Sequence, residues 1–219
     1  EELITLVGVV TLEWPLTGEL LQTISLLLSI LSSLESVSDV KSRLNIEDGE
    51  YCLVVLHPIT EDLNNLDQYV DEFMTALKEV ELIKIFILPN NDVGSELIKE
   101  KINGHDLNNA YFFKNLARSD YLSILKNSKF IIGNSSSGIL EAPTYQVPCV
   151  NIGGRQNKRY QGSNVINCEF KKDSILNAIS SVLDDEFKKK MLAGDQFPYG
   201  LGDSSEQILE IFKTVKVDR

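Results

Sequence analysis

Phe130-Ile131-Ile132 is an apolar, β-branched run, and Gly133-Asn134-Ser135-Ser136-Ser137-Gly138 follows it at once, with Ile139-Leu140-Glu141 closing the segment. A short buried strand that opens into small hydroxyl residues and then a carboxylate has the chemistry of a phosphate-and-ribose site. Lys129 to Ile132 reads as a central parallel strand, and Gly133-Asn134 can turn the chain sharply at its carboxyl end. The serines then open a helix. The first N–H groups of a helix have no internal partner and carry partial positive charge, so Ser135 to Gly138 can hold a diphosphate without a lysine. Glu141 stands four residues after Ser137 on the same helical face, where a carboxylate can accept both hydroxyls of a ribose. Serine is also a favoured N-cap on any strand-to-helix turn, and that plainer reading stays open here.

Such groups need elements that bring distant segments to one edge. From Tyr51 onward short apolar runs alternate with amphipathic stretches, the pattern of a parallel sheet covered by helices. The expected strands are Cys52 to Leu56, Ile83 to Leu88, Ala110 to Phe113, Phe130 to Ile132 and Pro148 to Ile152. Helices are expected over Leu66 to Val80, Gly94 to Ile102, Ser119 to Asn127, Gly138 to Tyr145 and Lys172 to Leu183, with a last one over Ser204 to Lys213. The fold class is therefore α/β, a Rossmann-like parallel sheet with helices on both faces. Ligands of such sheets sit at the carboxyl ends of the strands, so the residues just after each strand carry the functional argument.

Those residues are polar. His57-Pro58-Ile59-Thr60 follows the first strand and places an imidazole at the sheet's upper edge, although a histidine there can also cap the next helix. Pro89-Asn90-Asn91-Asp92-Val93-Gly94 follows the second; it is a turn by composition, and the Asn90 amide can bind a base or hydroxyl. Gly153-Gly154-Arg155-Gln156-Asn157-Lys158-Arg159 follows the fifth, crowding three cations beside two glycines. Arg155 can neutralise a diphosphate in bidentate fashion, while Lys158 and Arg159 also fit a solvent-facing role.

The chain of 219 residues, 43% hydrophobic, is long enough for one large α/β core. Its net charge of −11 argues against nucleic acid or an anionic membrane as partner, so any anionic ligand must be held by a local reversal of field. Cys52, Cys149 and Cys168 are odd in number, widely spaced and set in strand-like surroundings, as reduced thiols of a cytoplasmic protein would be. His57 and His105 are the only histidines, and no metal pattern or cofactor motif is present. Leu20 to Leu34 is apolar but too short to span a bilayer, and offers a surface for a homo-oligomer or another domain. Glu1-Glu2 lacks the basic start of an export signal.

Taken together, the loops resemble those of the hydrolysing UDP-N-acetylglucosamine 2-epimerases of the sialic-acid and nonulosonate pathways. The resemblance rests on His57-Pro58-Ile59-Thr60, Pro89 to Gly94, Gly133 to Gly138 with Glu141, Asn151 to Arg159, and the late Pro198-Tyr199-Gly200. Non-hydrolysing relatives usually follow the histidine with Arg and a Glu-Asn pair, so Pro58-Ile59-Thr60 favours the hydrolysing branch. The resemblance covers Ser38 to Lys216 and implies the nucleotide half of a GT-B-like two-domain enzyme, with residues 1–37 as a helical extension or linker remnant. It implies UDP or UDP-GlcNAc as ligand, with His57 catalytic and Asn90, Leu116, Ser135, Ser136, Glu141 and Arg155 contacting UDP, Leu116 by its backbone to the uracil. It also implies that the groups acting at the sugar's C2 come largely from the N-terminal domain. Residues 1–37 do not match that domain. A glycosyltransferase domain of the same GT-B class and a non-catalytic UDP-binding module are the alternatives.

Overall fold

Tyr51–Val55 is the strand from which the sheet grows, and all five of its side chains are buried. Such a strand has to be covered on both faces, which in a parallel sheet is the work of crossover helices. The computed structural model describes residues 35–194. The apolar segment Leu20 to Leu34, the Pro198-Tyr199-Gly200 turn and the helix over Ser204 to Lys213 lie outside the described residues. In chain order the elements are α1 (Val37–Arg43), β1 (Tyr51–Val55), a 3-10 turn (Thr60–Asn65), α2 (Leu66–Lys78), β2 (Ile83–Ile87), α3 (Ser95–Gly104), β3 (Ala110–Phe113) and α4 (Arg118–Lys126). There follow β4 (Ile131–Gly133), α5 (Ser137–Leu140), a second 3-10 turn (Ala142–Tyr145), β5 (Cys149–Ile152), β6 (Val165–Cys168), α6 (Lys172–Leu183) and α7 (Asp185–Ala193).

All strands run parallel in the order β3-β2-β1-β4-β5-β6. The chain moves outward from β1 through β2 to β3, then crosses back to start the other half at β4. The reversal opens a crevice between the carboxyl ends of β1 and β4, where neighbouring loops leave in opposite directions. Alternation along each strand divides the core in two. On one face Cys52 and Val54 meet Val70 and Phe73 of α2, Ile98 of α3 and Ile175 of α6. On the other, Leu53 and Val55 meet Val40 of α1 and Ile124 and Leu125 of α4. Among the described residues no helix is long and apolar enough to cross a membrane.

Three elements were not legible as such, and one was misjudged. β6 is four residues of half-exposed edge, too short and too polar for its apolar pattern to stand out, and it is tied to β5 by Asn151 Nδ2 donating to Asn167 Oδ1 (2.7 Å). α1 and α7 are short helices; the second is capped by Asp184, whose carboxylate accepts from the N–H groups of Glu186 and Phe187. The helix expected over Gly138 to Tyr145 is instead a single α-turn and a separate 3-10 turn. Pro143 lacks the N–H that an α-helix would use there and crowds the preceding turn, and Gln146 ends the segment in a left-handed conformation (φ 57°). Cys52 and Cys149 are buried and Cys168 only partly so; all are free thiols, and burial pushes each up to about 12.

The two halves of the sheet meet closely at Gly133, which is paired with Val55 and has φ +134°. A Cβ there would overlap the Val55 carbonyl oxygen, so the backbone approach requires glycine twice over. Gly133→Ala is expected to lower stability by at least about 2 kcal/mol in urea unfolding. Gly104→Ala, whose Cβ would meet nothing, is expected to be neutral or slightly stabilising. Equal midpoints for the two variants would contradict this account of the β1–β4 junction.

Candidate functional site

Because Val55 and Gly133 are in register, the chains leaving β1 and β4 start side by side. Asn134, fully buried, joins them: its Oδ1 accepts from the His57 N–H (2.7 Å) and its Nδ2 donates to the His57 carbonyl (2.9 Å). Its own N–H donates to the Val55 carbonyl (3.2 Å). Its carbonyl accepts from Arg155 Nη1 (3.1 Å) and Gln156 Nε2 (2.8 Å), both in the loop after β5. One asparagine thus ties together three strand ends. A buried amide with its backbone and side-chain groups so fully used has no second comfortable conformation.

His57 is held by its backbone, leaving the imidazole to the crevice. Its Nδ1 is buried without a partner, and its pKa lies below the ordinary range, chiefly through burial and then through the Arg155 charge, with Asp92 opposing. The ring is therefore neutral at physiological pH. It does not cap the next helix: Ile59 occupies that position before the 3-10 turn, with no side-chain cap bond.

A groove of about 410 Å³ opens here, and five expected residues line it: His57, Asn90, Leu116, Ser135 and Glu141. Arg118, Tyr121 and Ser137 line it too. Ser137 Oγ donates to Glu141 Oε2 (2.5 Å), and the Tyr121 hydroxyl donates to Ser137 Oγ (2.5 Å). The other carboxylate oxygen of Glu141 meets the Arg118 guanidinium. Ser136 and Arg155 line a neighbouring groove of about 810 Å³ instead, with Asp92, Lys158 and Arg159. Three cations face one carboxylate there, a local reversal of field in a chain of net charge −11.

The serine turn works differently from the expected helix start. α5 spans four residues, so little macrodipole accumulates. The Ser137 N–H donates to Ser135 Oγ (3.3 Å) and the Gly138 N–H to the Ser135 carbonyl (3.3 Å), so two of the four expected amides are engaged within the turn. What the turn offers an anion is mainly the hydroxyls of Ser135 and Ser136 and the remaining two amides. Ser136, at the cap position of α5, makes no capping bond, so the plain N-cap reading fails for that residue. Gly138 lies against β5, where a Cβ would overlap Cys149 Sγ.

Sequence reasoning missed Asn134, Gln156, Arg118 and Tyr121 as parts of the site. Asn134 reads as a turn residue by type. Arg118 and Tyr121 are three apart at the start of α4, a spacing that puts them on one face, but nothing in the sequence says which face meets Glu141.

The family model described as UDP-N-acetylglucosamine 2-epimerase matches residues 17–213. The UDP-N-acetylglucosamine 2-epimerase of Neisseria meningitidis serogroup B is 33% identical over 148 residues, which is 68% of this chain and 39% of that protein. The UDP-N,N'-diacetylbacillosamine 2-epimerase (hydrolyzing) of Legionella pneumophila is 32% identical over 169 residues, 77% of this chain and 44% of that one. The chain spans about two fifths of the length of these curated relatives. Among solved structures, the Methanocaldococcus jannaschii UDP-GlcNAc 2-epimerase in complex with UDP-GlcNAc and UDP superposes with a TM-score of 0.63 at 17% identity, covering 85% of this chain and 52% of that one. At that identity the likeness is one of fold, and it equates the six-stranded sheet with about half of a GT-B-like enzyme. The fold agrees with the family model, and the model matches nearly the whole chain: this protein belongs to the UDP-N-acetylglucosamine 2-epimerase family.

Proposed function

We propose that this chain is the UDP-binding half of a hydrolysing UDP-N-acetylglucosamine 2-epimerase, with residues 38–219 as the nucleotide domain and residues 1–37 as an extension. The observation that carries this reading is the groove at the β1–β4 crevice, where a carboxylate, a serine turn, a neutral histidine and a buried asparagine converge beside a cluster of cations. The order of groups suits the order of parts in UDP. Uracil lies along the Leu116 backbone near Asn90, the ribose hydroxyls donate to Glu141, and the diphosphate meets Ser135, Ser136, His57 and Arg155.

In the reaction, a base removes the C2 proton and the C1–O bond breaks, so UDP leaves with the bonding electrons and a glycal forms. Water then adds to the glycal, with protonation of C2 from the opposite face, to release N-acetylmannosamine or a related N-acetyl sugar. The residues of this chain act on the leaving group. Negative charge grows on the diphosphate as the bond breaks, and donors already fixed around it stabilise that charge without reorganising. Arg155 is prepared for this by its bond to the Asn134 carbonyl, which leaves the rest of its fork free for phosphate. His57, neutral before the ligand arrives, gains from a nearby diphosphate the incentive to take up a proton. The C2 acid and base are assigned to a second domain. The Legionella relative's hydrolysing activity supports the hydrolytic outcome, and a place in cytoplasmic sialic-acid-type sugar metabolism, in a homo-oligomer, completes the proposal.

UDP is expected to bind the 219-residue chain in calorimetry, with UDP-GlcNAc binding little better. Glu141→Gln and Arg155→Ala should each weaken UDP by roughly ten- to a hundredfold, the loss of one charge-assisted contact. The fold should survive Arg155→Ala, because Gln156 still donates to the Asn134 carbonyl. Normal binding by both variants would show that the site is elsewhere.

Turnover of UDP-GlcNAc by this chain alone is expected to be negligible, and a separately supplied N-terminal domain of the family should restore release of UDP and free sugar. Restored release should need no added acceptor, which separates hydrolysis from sugar transfer, and His57→Ala should abolish it. Robust turnover by the chain alone would overturn the half-enzyme reading.

A further inference from the structure

We propose that Tyr121 is a positioning residue that sets the groove's preference for an intact ribose diol, acting on Glu141 through the Ser137 hydroxyl. The inference rests on the nucleotide-binding reading above and adds Tyr121 and Ser137, which that reading does not use. The Tyr121 hydroxyl has one hydrogen and gives it to Ser137 Oγ; Ser137 in turn has one hydrogen and gives it to Glu141 Oε2. Both donors point the same way. The carboxylate therefore ends a relay, with Oε2 tied inward and its plane fixed.

Glu141 lines the groove, and the partner of its other carboxylate oxygen is of a different kind. Arg118 is 56% exposed along its side chain, rests about as far from the Tyr121 ring as a weak cation-π contact allows (6.0 Å), and pairs with Glu141 at the surface. Exposed ion pairs contribute little, so a ligand hydroxyl can take that place at small cost. Ser137 is buried and Tyr121 partly so; burial pushes the phenol up to about 12, which keeps it a donor at any pH at which the protein is used. The inner side of the carboxylate is thus built and the outer side exchangeable, an arrangement suited to a pair of neutral donors such as vicinal hydroxyls. Without the phenol's hydrogen, the Ser137 hydroxyl loses the contact that orients it and can turn its own hydrogen elsewhere. Glu141 would then be free to swing toward Arg118.

The test compares UDP with 2',3'-dideoxy-UDP on the full 219-residue chain, by calorimetry, for the unaltered protein, Tyr121→Phe, Ser137→Ala and the double variant. The unaltered protein is expected to prefer UDP by about tenfold or more, the value of hydrogen bonds to a charged acceptor. Each single substitution should reduce that preference to about two- to threefold by weakening UDP alone, and the double variant should lose no more than either, since both break one relay. Equal weakening of both ligands by Tyr121→Phe would mean that the ring touches the ligand or merely supports the fold, and would overturn the proposal. An unchanged preference would overturn it too. If Tyr121→Phe does not fold, Ser137→Ala decides by the same ratio. Failure of the unaltered protein to bind UDP would defeat the functional reading itself, and this inference with it.

Discussion

The amide of Asn134 closing on both backbone groups of His57 is the contact on which the rest of the site depends. A parallel sheet that reverses its winding has a gap at the point of reversal, and two loops leave that gap in different directions. Nothing in the strand ladder holds those loops to each other. Asn134 does so with its side chain, and its carbonyl draws in Arg155 and Gln156 from a third loop. Histidine, serine turn and arginine are therefore fixed relative to one another by a buried group with no solvent competitor. Close positioning of charge-stabilising groups before a ligand arrives is what makes them effective when charge develops.

The electrostatics of the chain follow from the same local construction. A strongly acidic protein repels an anion at a distance, and salt screens that repulsion over about 10 Å. Inside the crevice the balance is different: Arg155, Lys158 and Arg159 lie together, and the Glu141 charge is turned toward Ser137 and Arg118. The depressed pKa of His57 belongs to this pattern: burial first, and then the neighbouring Arg155 charge, disfavours a positive imidazole there.

The parts of this fold that were legible in the sequence are those whose signal is local. β1 and β2 are dense apolar runs, and α2 repeats Leu66, Val70, Phe73 and Leu77 on one face, so their nature follows from periodicity. β6 escaped because an edge strand buries half of each side chain and its Val165-Ile166-Asn167-Cys168 has no clear period. The break after Leu140 was foreseeable from Pro143, but the apolar spacing through Ile139 outweighed it. Of the site, the residues of loop motifs were legible as types, and four of them, His57, Asn90, Ser135 and Glu141, do share a groove, together with Leu116, which only the family resemblance implied. The pairings among them were not: that Arg118 would meet Glu141, or Asn134 clasp His57, depends on which helix face turns inward and how two strands register. Those are properties of the assembled sheet.

The seat of the serine turn has a further bearing. Gly138 lies directly on the Cys149 thiol, with no room between them for a methyl group, and that thiol is buried and unreactive in the closed sheet. The turn therefore has no independent freedom to lift: any movement that opens it also uncovers the sulfur of the neighbouring strand. Alkylation of Cys149 would then act as a built-in clock for the opening of the serine turn, and anything that settles into the crevice would slow it.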